Sequence, residues 1–68
     1  MELFALRLKE VMAQKNITHK KLGELVGLDR KSITNIIGGK VMPSLPVFVK
    51  ICQVTKESAD YLLGFVDV

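Results

Sequence analysis

Residues 18–39 read THKKLGELVGLDRKSITNIIGG, and the placing of glycine and apolar residues in this stretch decides the fold. Thr18 offers a hydroxyl N-cap to a short helix with an expected inward stripe of Leu22, Leu25 and Val26. Gly23 lies beside that stripe. A glycine inside a helix costs about 1 kcal/mol of propensity, so its small size is needed there, as at a close helix crossing. Gly27 stands where a C′ residue in the left-handed region would end the helix. Leu28 follows as an apolar plug, and Asp29 is placed to cap the next helix, whose inward residues are Ile33, Ile36 and Ile37. At about 100° per residue, Lys31 and Asn35 point nearly opposite Ile33 and Ile36. Ser32 and Thr34 flank them, Arg30 sits at the helix start, and Gly38-Gly39 stops the helix. A small residue at a crossing, a turn glycine and branched apolar residues facing inward make a helix-turn-helix. Its outer face, Arg30, Lys31, Ser32, Thr34 and Asn35, is basic, hydroxylic and amidic. These are the side-chain types that reach phosphates and base edges in a major groove.

Helical spacing extends on both sides. Phe4, Leu8, Val11 and Met12 recur at i, i+4, i+7 and i+8, predicting a first helix with Arg7, Lys9, Glu10 and Gln14 outside and Asn16 as its stop. After the loop Lys40-Val41-Met42-Pro43, Ser44 reads as an N-cap, and Pro46 is tolerated in the first turn. Leu45, Phe48, Val49 and Cys52 form one stripe of the fourth helix, and Val47, Ile51 and Val54 form another. That helix is apolar nearly all round, so it reads as either the centre of the core or partly an interface. Ser58 caps a last short helix closed by Gly64, and the tail 65–68 is too apolar to be comfortable in water. The expectation is a single all-α domain, 1–68, built as a compact five-helix bundle.

Composition narrows the function classes. A chain of 68 residues buries only about 60% of its unfolded surface, which leaves little from which to shape a deep substrate pocket. One cysteine cannot form an internal disulfide, and no apolar run approaches a membrane span of about 20 residues. The start, Met1-Glu2-Leu3-Phe4-Ala5, has no basic segment, so it reads as no signal peptide and the default location is the cytoplasm. The formal net charge is +3, and it is uneven. Lys15, Lys20, Lys21, Arg30, Lys31 and Lys40 stand against Glu24 and Asp29, so residues 15–40 carry +4 and the rest of the chain −1. Such asymmetry suits a polyanion partner, although Lys20 and Lys21 also read simply as solvating their helix.

Catalytic readings find no support. Cys52 lies on a core stripe and reads as a buried small hydrophobe. His19 has no neighbouring ligands at metal spacing, and no pair of acids shares an apolar-walled face. Gly38-Gly39-Lys40 is no phosphate loop, because Thr34 and Val41 stand where a glycine and a hydroxyl residue are needed. The reading is a non-enzyme with no catalytic residue, metal, cofactor or small-molecule ligand.

The run RLKEVMAQKNITHKKLGELVGLDRKSITNIIGGKVMPSLPVFVKIC, followed by SADYLLG, resembles the Cro/C1-type (XRE-like) helix-turn-helix family of phage and bacterial repressors. R-L-K-E, the helix-turn-helix, G-K-x-x-P-S-L and D-Y-L-L-G occur in the family's order across nearly the whole chain. The resemblance implies a lambda-repressor-like five-helix domain that binds double-stranded operator DNA as a homodimer on a pseudo-palindrome. The helix at about residues 29–37 would enter the major groove as the reading element of a transcriptional regulator, a repressor. Carried over residue by residue, Arg30, Lys31, Ser32 and Asn35 are the base readers. Arg30 or Lys31 would pair with guanine and Asn35 with adenine. Thr18, His19, Thr34 and Lys40 are the phosphate contacts, Thr18 and His19 lying where a helix N-terminus meets an anion.

The chain departs from the family's pattern in three places. His19 replaces a common Gln, bringing a side chain whose charge depends on pH. Ile37-Gly38-Gly39-Lys40 replaces Glu-Arg-Gly-Lys and loses a charged pair. Thr55 and Glu57 replace Leu and Val, which puts the packing of the last two helices in question. Self-association is expected through Val47, Val54, Tyr61, Phe65 and Val66. The alternative reading is a protein–protein interaction module of the same fold, for a toxin, antirepressor or regulator partner, with little DNA reading of its own.

Overall fold

Five helices form where the apolar periodicity and the caps put them. The computed structural model describes residues 2–67, as α1 (Glu2–Lys15), α2 (His19–Val26), α3 (Arg30–Ile37), α4 (Leu45–Thr55) and α5 (Ala59–Leu63). No strand occurs among the described residues. The stripe Phe4, Leu8, Val11 and Met12 is buried, with Ala5 beside it. Asn16, at φ 57°, turns the chain out of α1 in the left-handed region, which asparagine tolerates better than most residues. Thr18 Oγ1 then accepts from the Lys21 amide at 3.0 Å, and Ser58 Oγ accepts from the Tyr61 amide at 3.1 Å at the start of α5. Each such cap satisfies one of the orphan donors of a helix N-terminus, and losing one costs about 1 kcal/mol.

α1 packs on α3, α4 and α5, and α2 packs on α3 and α4. Leu8, Leu22, Ile33, Ile51 and Leu62, one from each helix, are fully enclosed where these faces meet. Phe4 and Phe48 join α1 to α4, with ring centroids 5.8 Å apart and planes tilted by 55°. The whole measures 29 × 22 × 19 Å. No helix among the described residues is long and apolar enough to cross a membrane.

Several side chains lie elsewhere than their spacing predicts. Leu25 is 45% exposed, because α3 presses on α2 from the Gly23 side. The buried sector therefore runs through Leu22, Val26 and Gly23, and at about 100° per residue Leu25 falls outside it. In α4 neither predicted stripe is the buried one. The sector through Phe48, Ile51 and Thr55 is buried, Val47, Cys52 and Val54 are half-buried beside it, and Leu45 and Val49 are exposed. Cys52 is thus only partly covered, though burial still pushes its thiol pKa up. Ser44 has N-cap backbone angles but its side chain makes no capping bond; Pro46 opens the helix. Gly38 remains right-handed at φ −76°, so it is Gly39, at φ 79°, that turns the chain away from α3.

Arg7 is not outside α1. Its guanidinium lies 4.5 Å from the centre of the Tyr61 ring, donates to the Tyr61 carbonyl and donates to the Val66 carbonyl at 2.6 Å. It therefore ties α5 and the tail to α1. Thr55 fits the junction of α4 and α5 as a fully buried residue, its hydroxyl donating to the Ile51 carbonyl at 2.7 Å. Glu57 finds Lys15 at 3.4 Å, and Lys15 also donates to the Thr55 carbonyl. The Thr55 and Glu57 substitutions are accommodated by this network, not by the apolar contact of the family pattern. Val68, the end of the expected tail, lies outside the described residues.

Candidate nucleic-acid interface

α2 and α3 meet at a corner with almost no room in it. A Cβ on Gly23 would come within 2.8 Å of the Leu28 carbonyl oxygen and 3.3 Å of Ile33 Cγ1. The glycine lets the turn and α3 lie directly against α2. Gly27 makes the corner in the left-handed region at φ 80°, which glycine adopts without steric cost. Its amide and that of Leu28 both donate to the Gly23 carbonyl, at 2.8 and 2.9 Å. Leu28 is half-buried against the core, and the next residue begins the cap of α3.

Asp29 Oδ1 accepts from the Ser32 amide at 2.8 Å. Hydrogen bonds from the Ser32 hydroxyl and amide, with a smaller attraction from Lys31, hold the Asp29 carboxyl below the ordinary aspartate pKa. The acid that precedes Arg30 is thereby committed to holding the helix start. Ile33, Ile36 and Ile37 are buried, which fixes the rotation of α3 and sends Arg30, Lys31 and Thr34 into solvent. Ser32 and Asn35 are half-buried, nearer the flanks of the face than its crest. The Lys40 amide returns to the Asn35 carbonyl at 3.0 Å, placing exposed Lys40 just beyond the helix end.

Thr18 and His19 are exposed at the start of α2. A cleft of about 230 Å³ opens there, lined by His19, Lys20, Gly23, Glu24, Leu28 and Arg30. It brings the expected phosphate contact His19 to the same depression as the expected base reader Arg30. Lys20 belongs with them. By sequence it counted toward the charge of this window and read equally well as solvating its helix; the cleft is made only when α3 folds across α2. Lys15 moves the other way. It counted toward the +4 of this window, yet its charge is paired with Glu57 at the far end of α4.

A family model described as helix-turn-helix domain matches residues 6–68. This chain belongs to the XRE-like helix-turn-helix family. Among its relatives is YgzD of Bacillus subtilis (strain 168), an uncharacterised HTH-type transcriptional regulator. It is 38% identical over 47 residues, covering 69% of this chain and 71% of that protein. No solved structure matches the chain. The helix-turn-helix of the family is α2, the Gly27 turn and α3. Of the expected association residues, Phe65 (78% exposed) and Val66 (40%) are open to solvent. Val47, Val54 and Tyr61 are partly consumed by the protein's own core.

Proposed function

We propose that this XRE-like protein is a sequence-specific, double-stranded-DNA-binding transcriptional regulator, a repressor that acts in the cytoplasm as a dimer. α3 enters the major groove, and the two copies place their α3 helices about 34 Å apart on a pseudo-palindromic operator. The observation that carries this reading is the presentation of α3. Three buried isoleucines and the Asp29 cap hold it rigidly, and its solvent side offers Arg30, Lys31 and Thr34 with Lys40 following. Family membership and the printed name of the Bacillus relative agree with it.

Roles follow from position. Arg30 or Lys31 donates to guanine, and Ser32 and Asn35 read the flanks of the same base steps, Asn35 pairing with adenine. Thr18, His19, Thr34 and Lys40 meet phosphates, which position the helix without reading sequence. Self-association runs through the exposed Phe65 and Val66 together with the half-buried Val47, Val54 and Tyr61.

Selection of bound sites from random duplexes tests the reading, with recovery of a two-fold-related motif expected. Lys40→Ala then weakens specific and random duplexes about equally, while Asn35→Ala relaxes preference at one base position. Equal losses on both duplexes for both variants would take base reading away from α3. Absence of duplex binding even at 50 mM salt, where phosphate attraction is strong, would overturn the proposal. The exposed Leu45, Val49 and Phe65 favour a second reading, an interaction module, for which the signature is a tight heteromeric complex without a DNA footprint.

A further inference from the structure

We propose that the two copies of the dimer join through unlike patches, the α1–tail face of each seating on the α4 face of the other. The inference rests on the dimeric reading above and says what Phe65 and Val66 meet. The first patch is built from both ends of the described chain. Leu3 lies over the bare backbone of Gly64, where an added Cβ would come within 2.5 Å of Leu3 Cδ2, so α1 and the tail present one surface. Phe65, 78% exposed, is its largest apolar member, with Val66 and Leu3. The tail backbone is nonetheless held. The Phe65 amide donates to the Asp60 carbonyl at 2.8 Å, and Arg7 donates to the Val66 carbonyl at 2.6 Å. A phenyl ring in water on a backbone fixed at both of these points is an anchor set before its partner arrives, which lowers the ordering cost of association.

The second patch covers the start of α4 and the loop before it. Leu45 is 73% exposed, and Val41, Met42 and Val49 are also open to solvent. At about 100° per residue, Leu45 and Val49 lie on one side of the buried sector of Phe48, Ile51 and Thr55. Val47 and Val54, which pack against the core, lie on the other. The Phe4–Phe48 contact joins the two helices that carry the patches.

Charge decides which surface covers which. Residues 40–56 hold Lys40, Lys50 and Lys56 and no acid, and all three lysines are exposed. Around the first patch stand the exposed acids Glu2, Asp60 and Asp67, while Arg7 is turned onto backbone carbonyls. Among the described residues the ion pairs are Arg7–Asp67 and Lys15–Glu57, and neither engages those three lysines. Tail against tail would set acid before acid, and α4 against α4 would set lysine before lysine. Like charges facing each other across an interface repel. Tail against α4 sets acids before lysines and apolar side chains before apolar ones. Area points the same way. A stable interface takes about 800 Å² from each partner, more than the few partly exposed side chains of one patch supply. Under two-fold symmetry a contact of residue i with residue j is repeated as j with i, so each copy gives both patches at once.

The test mixes two single-patch variants of the full chain, L45E and F65K, in sedimentation velocity with one variant fluorescently labelled. Both side chains stand mostly in water, so neither exchange touches the core, and an unchanged helical circular-dichroism spectrum checks this. Each variant alone should dimerise about tenfold or more weakly than wild type, the scale of one lost anchor. Mixed, they should pair at least about fivefold more tightly than either does with itself, the scale of coupling between touching residues. The intact α4 of F65K then meets the intact tail of L45E, and at the other contact glutamate meets lysine. Wild-type association should also weaken as sodium chloride rises from 0.1 to 1 M, over which the Debye length falls from about 10 to about 3 Å. No gain on mixing, or a loss in only one of the variants, overturns the pairing of unlike patches while leaving a dimer standing. An affinity that salt leaves unchanged or raises overturns it too. Wild type that stays monomeric even at about 1 mM overturns the dimeric reading and this inference with it.

Discussion

Gly23 has no side chain at the point where α2 meets the turn, and the nearest obstacle to one is backbone, the Leu28 carbonyl at 2.8 Å. Alanine there would gain about 1 kcal/mol of helix propensity and lose a comparable amount to the shift it forces. Valine brings two further methyl groups toward Ile33 without that compensation. Gly23→Val should cost at least about 2 kcal/mol, read from the chemical denaturation midpoint, and an unchanged midpoint would mean that α2 and α3 are not held against each other. Asp29 provides a pH-dependent counterpart. Its folded pKa lies below the ordinary value of 3.8, so the cap's contribution is full above that value and is lost as pH falls through the folded one. In Asp29→Asn an amide oxygen caps the helix at every pH. The melting temperature of wild type should therefore fall more steeply than that of Asp29→Asn between pH 5 and pH 3. Parallel declines would assign the acid sensitivity to other carboxylates. Both roles were legible in the sequence, since a glycine within a helix beside its apolar stripe and an aspartate before a helix each have a local cause. The half-burial of Asn35 was not legible, because helical period alone put it opposite the buried isoleucines.

At the scale of elements, the attachment of α5 and the tail to α1 is the weak point, because α5 has a single fully buried side chain, Leu62. Arg7 supplies what that short helix lacks, through Tyr61, the Val66 carbonyl and Asp67. Arg7→Met keeps the stem and loses the donors, and should cost about 1–3 kcal/mol, the usual range for hydrogen bonds from a charged group. Amide exchange should then quicken at Phe65, whose N–H donates to the Asp60 carbonyl at 2.8 Å. Asp67→Asn should change stability by less than about 0.5 kcal/mol, because Asp67 stands in solvent 3.9 Å from the guanidinium. A larger effect from Asp67 than from Arg7 would show that charge, not the clamp on the carbonyls, holds the tail. Spacing alone put Arg7 outside, which describes its place on the helical wheel correctly. It misses that a long side chain can lie along the helix and reach a neighbour.

At the scale of the whole molecule, apolar exposure offers the proposed dimer two places to form. Phe65 and Val66 form one with Leu3 at the start of α1, and Leu45 with Val49 forms the other along α4. Removing the residues after Gly64 should lower the dimer fraction in sedimentation velocity if the tail carries association. A fraction that instead falls only in Leu45→Glu would move the interface to α4, and the Arg7 measurements above separate loss of partner from loss of stability. The number of helices, the caps at Thr18, Asp29 and Ser58, the turn at Gly27 and the exposure of Arg30, Lys31 and Thr34 on α3 were determined by the sequence by itself. Each rests on neighbours within about four residues, where period, capping and glycine geometry act. Tertiary structure decided the rest. It chose one buried sector of α4 where the apolar residues ran all round, turned Leu25 outward, spent Lys15 on Glu57 and brought His19 to Arg30. The physical reason is common to all four: each depends on which distant surface arrives first to cover a side chain, and no local period records that.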